Sequence, residues 1–262
     1  MTAPPTQTGS TTTTSAPAAA LEKGLAVLEH TAGAGQTTPA KISQALGLSR
    51  SATYRLVDRL VAEGWLDAAP QGLRLGSRAM MLGVAAMGQT ELLQVAPPML
   101  QSLAARAGNT VNLAVPDGNF MAYVAQEEGP QAVRATARLG TRRPLNCSGL
   151  GKAYLATLPP DELAERLQTM PFIRLTERSI MDPATLASHL DGVRERGYAV
   201  DDLEVEDGVG CVAAAVRDFR GRTVAAISVA GPVERIRAST ELIAAELLHT
   251  TSQLSTRLGY LP

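Results

Sequence analysis

Leu21, Leu25 and Leu28 recur at the spacing of one helical face, and the pattern stops at Gly33 and Gly35, which predicts a short amphipathic helix. A second short helix is predicted to open at Thr38, a good cap, and Pro39, suited to a first turn, and to run through Ile42 and Leu46 to Gly47. A third follows at once: Ser49 caps it, Leu56 and Leu60 stand four apart, and it ends near Gly64. Trp65 and Leu66, a turn over residues 70–72, and Leu73 to Leu75 then predict a small hairpin, or wing. From Ser77 to about Arg106 the apolar positions are again helical, interrupted near Gly88 and at Pro97 and Pro98. The period changes to two in TVNLAV and FMAYVAQE, which flank a turn at Asp117 and Gly118 and predict a hairpin. Further helices are predicted over 149–157, 161–168 and 183–196, strands at GVGCVAAAVRD and TVAAISVAG, and a last helix from about Ser239 to Leu258.

Helices mixed with antiparallel hairpins predict an α+β fold class in two domains. Residues 1–19 form a Thr/Pro/Ala tract without a large apolar residue beyond the initiator, too poor in apolar surface to offset the entropy of ordering, and are expected to be a disordered tail. Residues 20–76 are read as a winged helix-turn-helix, 77–107 as linker helices and 108–262 as a second, larger domain.

Charge narrows this picture. The 262-residue chain carries 24 Lys+Arg and 25 Asp+Glu, a net charge of −1, so any attraction to nucleic acid has to come from a local patch. Residues 1–80 hold seven basic and five acidic residues, which leaves the front at +2 and the remainder at −3. The third helix concentrates the patch. At 100° per residue Ala52, Leu56, Val57 and Leu60 share one side, while Ser51, Tyr54, Arg55 and Asp58 face the other with Arg50 and Arg59 on the flanks. A helix reads the major groove when one face packs on its own domain and the other offers donors to phosphates and base edges. Double-stranded DNA is therefore the expected partner. Ser49, Arg50, Ser51, Thr53, Tyr54 and Arg55 are its candidate contacts, with Lys41, Arg59 and the wing residue Arg74 placed for the phosphate backbone. Asp58 on the same face would repel phosphate unless paired with Arg55 or Arg59.

The segments LEKGLAVLE, ISQALGLSRSATYRLVDRLVAEGWL, LNCSGLGKAYLA and YAVDDLEVEDGVGCVAAAVRDFRGRTVAAISVAGPVERI together resemble the IclR family of bacterial transcription regulators, from about Leu21 to the C-terminus. The resemblance implies an N-terminal winged helix-turn-helix, a linker helix that helps dimerise, and a C-terminal effector-binding domain with a GAF-like fold. It also implies palindromic operators bound by a homodimer or a dimer of dimers, repression more than activation, and small carboxylates or aromatic catabolites as effectors. The family's effector site maps onto Gly149, Leu150, Asp201, Cys211 and Ser228. Leu203 stands where the family usually has a third acid, and Ala230 where a second small hydroxyl residue often lies.

Residues 129–160 contain Arg134, Arg138, Arg142, Arg143 and Lys152 and no acid, a cationic neighbourhood beside a Gly-rich helix start where an anion would be favoured. A solvated basic loop is the equal alternative. The GLGK string lacks a P-loop's spacing, since Asn146 and Ala153 occupy the positions that would need Gly and Ser or Thr. An enzyme using Cys147 or Cys211 with His30, His189 or His249 is the rival from another class, but no spacing joins them. A DNA-binding protein whose second domain only oligomerises is a further alternative. Two isolated cysteines fit a reducing cytoplasm. No metal site, cofactor or catalytic residue is expected, and neither is a leader or a membrane-spanning run.

Overall fold

A computed structural model describes residues 16–88, 91–130 and 138–261 of the chain. Most of the expected tail, residues 1–15, lies outside them, but its last four residues are already helical. The chain divides into two compact units, Met1–Ala85 and Ala86–Pro262.

The first unit contains α1 (Ala16–Ala34), α2 (Pro39–Leu46), α3 (Arg50–Ala62), the hairpin β1 (Leu66–Ala69) and β2 (Gly72–Leu75), and most of α4 (Ser77–Gly88). Helix α1 starts earlier than the leucine pattern because alanines, the best helix formers, extend it backwards. The predicted caps form: Thr38 Oγ1 accepts from Lys41 N, and Ser49 Oγ accepts from Ala52 N. Gly47 closes α2 in the left-handed region at φ +62°, where its N–H donates to Ser43 O. No atom lies within 4 Å of a Cβ built there, so Gly47→Ala should cost only the backbone term, about 1 kcal/mol, measurable as a lowered unfolding midpoint. Val27, Ile42, Val57, Leu66 and Leu73 form the core, and Thr37 pairs with Leu73 to anchor the wing.

The second unit opens with α5 (Glu91–Ala107), which runs unbroken through Pro97 and Pro98. Two prolines remove two helical N–H donors, yet Leu92, Ala96, Leu100, Leu103 and Ala104 bury one continuous face and hold the helix across the gap. Strands β3 (Thr110–Asp117), β4 (Phe120–Glu127), β5 (Arg142–Pro144), β6 (Ala199–Asp202), β7 (Val209–Arg217) and β8 (Thr223–Pro232) make one antiparallel sheet in the order β5-β4-β3-β8-β7-β6. Between β5 and β6 lie α6 (Gly149–Leu155), α7 (Pro160–Thr169) and α8 (Pro183–Arg196), and α9 (Val233–Arg257) ends the fold. The last helix starts directly after Pro232, and Ser239, read from sequence as its approximate start, is instead a non-helical kink inside it.

Alternation along the central strands separates two cores. Val212, Ala214, Val216, Ile227 and Val229 face α5 and α9, whereas Ala213 and Ala226 face α6 and α8. A sheet covered on both faces explains why β7 and β8 are largely apolar on both sides rather than alternating regularly with polar residues. The layer that holds α6 is where the sheet carries its buried polar side chains.

Candidate DNA interface and effector pocket

Helix α3 turns its packing face inward as expected, and the structure corrects one residue of the proposed reading face. Thr53 is fully buried and its Oγ1 donates to Ser49 O at 3.0 Å, so it cannot reach DNA. It lies one helical turn from Val57, on the core side of the helix. The Ser49 hydroxyl is engaged as the cap. Arg50, Ser51, Tyr54 and Arg55 are exposed, as is Lys41 on α2. The cations then separate by partner. Arg59 pairs with Glu63 at 2.9 Å and Arg74 with Asp67 at 3.6 Å, whereas Lys41, Arg50 and Arg55 have no ion pair among the described residues. Asp58 is exposed and pairs with neither arginine. Free positive charge therefore gathers at the N-terminal half of α3 and the start of α2, with Lys23 on α1 a further exposed cation that has no ion pair among the described residues.

The sheet of the second unit brings the five other candidates together. Cross-strand register aligns Asp201 with Cys211 and Cys211 with Ala230, and the neighbouring rung aligns Asn112 with Ser228. The loop into α6 closes over these rungs. Its cap Ser148 accepts from Gly151 N at 3.0 Å, and Gly149 lies so close to β7 that a Cβ would stand 2.7 Å from Cys211 Sγ. Gly149, Leu150, Asp201, Cys211 and Ser228 all line one cavity of about 140 Å³. That matches the scale of an apolar cavity of about 150 Å³ that accepts benzene. Asn112, Tyr123 and Arg143 also line it and were not among the pocket candidates read from sequence.

The cationic neighbourhood read from sequence disperses on folding. Arg134 lies outside the described residues, and Arg138 is exposed. Arg142 pairs with Asp117 at 2.8 Å and stacks over Phe120. Lys152 is fully buried, where its Nζ pairs with Glu204 and donates to Val200 O at 2.6 Å. Of the four described, only Arg143 reaches the cavity.

Beneath the cavity a charged cluster sets its electrostatics. Leu203 adopts φ +69° and turns the chain so that Glu204 N donates back to Asp201 Oδ1 at 2.8 Å. Burial, reinforced by the neighbouring Glu204 carboxylate, pushes Asp201 up to about 7 against the pull of Lys152 and the backbone donors. Burial also raises Glu204, and it pushes the Tyr123 phenol up to about 12. The Cys211 thiol is raised by the same cause. Burial pushes Cys147 up to about 12, which disfavours the thiolate that a nucleophile requires, and Cys147 does not line the cavity.

A winged helix-turn-helix with a free cationic reading face, joined in one chain to an α+β unit with a small internal pocket, defines the class of effector-controlled DNA-binding regulators. The chain belongs to the IclR family of bacterial transcriptional regulators. The family's helix-turn-helix domain matches residues 20–70, and the domain described as bacterial transcriptional regulator IclR C-terminal matches residues 84–256. The HTH-type transcriptional repressor AllR of Klebsiella pneumoniae is 35% identical over 249 residues, covering 94% of this chain and 92% of that protein. AllR of Escherichia coli K12 is 35% identical over 246 residues, 92% of this chain and 91% of its own. Among solved structures, the Thermotoga maritima IclR is 28% identical with a TM-score of 0.74, covering 92% of this chain and 98% of that one. An IclR homologue from Microbacterium hydrocarbonoxydans complexed with 4-hydroxybenzoate is 26% identical with a TM-score of 0.76, covering 91% and 98% respectively. No helix among the described residues is long and apolar enough to cross a membrane.

Proposed function

We propose that this protein is a cytoplasmic transcriptional repressor that binds operator DNA as a homodimer or dimer of dimers and responds to a small organic effector in the cavity of its second unit. The observation that carries the reading is the face of α3 on which Arg50, Ser51, Tyr54 and Arg55 stand exposed, with both arginines unpaired. Repression is supported by the similarity to AllR, and effector response by the five candidate residues that share one cavity, a feature that an oligomerisation domain alone does not require. The complexed homologue supports an organic acid of aromatic size as one effector type.

Self-association has its own support in the first unit. Leu21, Leu25, Met80, Met81, Leu82 and Val84 are each between 49% and 65% exposed, more apolar surface than a monomer keeps in water without use. In a dimer each subunit offers one recognition helix to successive major grooves. The effector acts by binding one arrangement of the dimer better than another, the condition any coupling between the two sites must meet.

Fluorescence anisotropy on the DNA upstream of the protein's own gene, titrated against salt and against a scrambled duplex, tests the reading. Wild-type protein should prefer the upstream DNA and lose affinity steeply with salt. Arg55→Ala should cost about 1–3 kcal/mol of that preference. Arg59→Ala, which removes a cation already paired with Glu63, should cost less. Equal, weak binding to both duplexes, followed by failure of a random-sequence selection, would reject a regulator.

A further inference from the structure

Asp58 is the only acid in α3, and no interaction within the unit accounts for it. At 100° per residue it lies about 20° from Ser51, near the centre of the arc that Tyr54, Ser51 and Arg55 also occupy. Arg50 stands about 80° to one side of it, and Arg55 and Arg59 about 60° and 100° to the other. Asp58 is exposed and makes no hydrogen bond or ion pair among the described residues. Glu63, just past the end of the helix, is by contrast held by two cations, Arg59 at 2.9 Å and Arg78 at 3.0 Å. Aspartate is a weaker helix former than alanine, and past the middle of a helix its charge gains nothing from the macrodipole. On a face turned to DNA it also repels the phosphates that the neighbouring arginines attract. Each of these effects disfavours a carboxylate at this position, so its use lies in what the face meets.

We infer that Asp58 selects cytosine in the operator, its carboxylate accepting from the exocyclic amine of that base in the major groove. The assignment rests on the reading of α3 as the recognition helix and names one base that the helix requires. A helix lying in the groove turns its flanks to the two phosphate backbones and its centre to the base edges. Arginines on the flanks and an acid at the centre match that division. A carboxylate can only accept, and the donors on major-groove edges are cytosine N4 and adenine N6. Adenine sets its N7 acceptor beside that amine, guanine presents N7 and O6, and thymine presents O4, so each opposes a carboxylate with a lone pair. Cytosine alone offers the amine without an acceptor beside it. The same charge weakens binding wherever the face meets a base other than the chosen one, so Asp58 widens the gap between operator and bulk DNA from both sides.

Selection from a random duplex library with the full-length wild type, Asp58→Ala and Asp58→Asn tests this, followed by anisotropy on the wild-type site and a scrambled duplex at one salt concentration. The wild type should fix cytosine at one position of each half-site, and replacing that cytosine should weaken binding about tenfold per half-site. Asp58→Ala should lose the preference at that position, keep the rest of the site, and bind the scrambled duplex about threefold or more tightly, since a repulsive charge is gone. Asp58→Asn should move the preference from cytosine to adenine, because an amide accepts from N6 and donates to N7 together. Neither variant should melt below the wild type, as the side chain holds nothing within the protein. The same cytosine fixed by all three proteins, or a wild-type half-site that fixes no cytosine, would overturn the assignment and leave the regulator reading standing. Loss of every base preference in Asp58→Ala would overturn it as well, by showing that the residue supports the helix and does not read one base. A wild type that enriches no sequence would remove both readings.

Discussion

Replacing Lys152 with methionine should destabilise the protein by about 3–5 kcal/mol at pH 8, the cost of stranding one member of a buried ion pair. Lys152 is fully buried on α6, and its Nζ ties that helix to the Glu204 carboxylate and to Val200 O on β6. Glu204 already has one buried oxygen, Oε2, without a partner. Removal of the ammonium leaves both oxygens in a medium that cannot solvate a charge, so the carboxyl takes up a proton to escape. Burial already raises Glu204, and loss of the opposing cation raises it further. The cost of Lys152→Met should therefore be smaller at pH 5 than at pH 8. A double variant with Glu204→Gln removes the stranded charge and should recover most of the loss. Urea unfolding of the three proteins at both pH values measures this. A cost below about 1 kcal/mol for the single variant at pH 8 would show that the pair is reached by solvent.

Much of the first unit was legible because its signals are local. Thr38, Ser49 and Gly47 mark helix ends by chemistry that acts within a few residues, and they do so here. Thr53 was misplaced because a small hydroxyl residue reads as polar in sequence, although donation to Ser49 O lets it sit in the core. In the second unit the misses are of longer range. Strands β5 and β6 span three and four residues and exist through their partners in the sheet, not through a period of their own. The pocket residue Tyr123 was hidden by a bulge. Between Leu113 and Ala114 the β3–β4 register slips by one residue, so Gln126 opposite Asn112 and Tyr123 opposite Ala114 share a face although three positions separate them. Strict alternation would place them on opposite faces. Asn112 did leave a signal, as the polar residue in an apolar run that is buried almost throughout. The five pocket candidates came from resemblance to a family, and nothing in their spacing would have joined them. The same lack of spatial information made Lys152 look like part of a basic loop, when it is the cation least available to any ligand.

Stability of the wild-type protein should fall relative to Asp201→Asn as the pH rises from 5 to 8, by roughly 2–3 kcal/mol. Burial holds Asp201 at about 7 in the folded protein against an ordinary value of 3.8. The folded state therefore binds this proton more tightly than the unfolded chain does, and its contribution is fully present below pH 3.8. It declines from there and is lost once the pH passes about 7. Asparagine keeps the oxygen that accepts from Glu204 N but cannot ionise, so the variant lacks this slope. Thermal unfolding across the range should show the gap widen by on the order of 5–10 °C. Parallel profiles for the two proteins would mean that Asp201 is solvated and not buried as described.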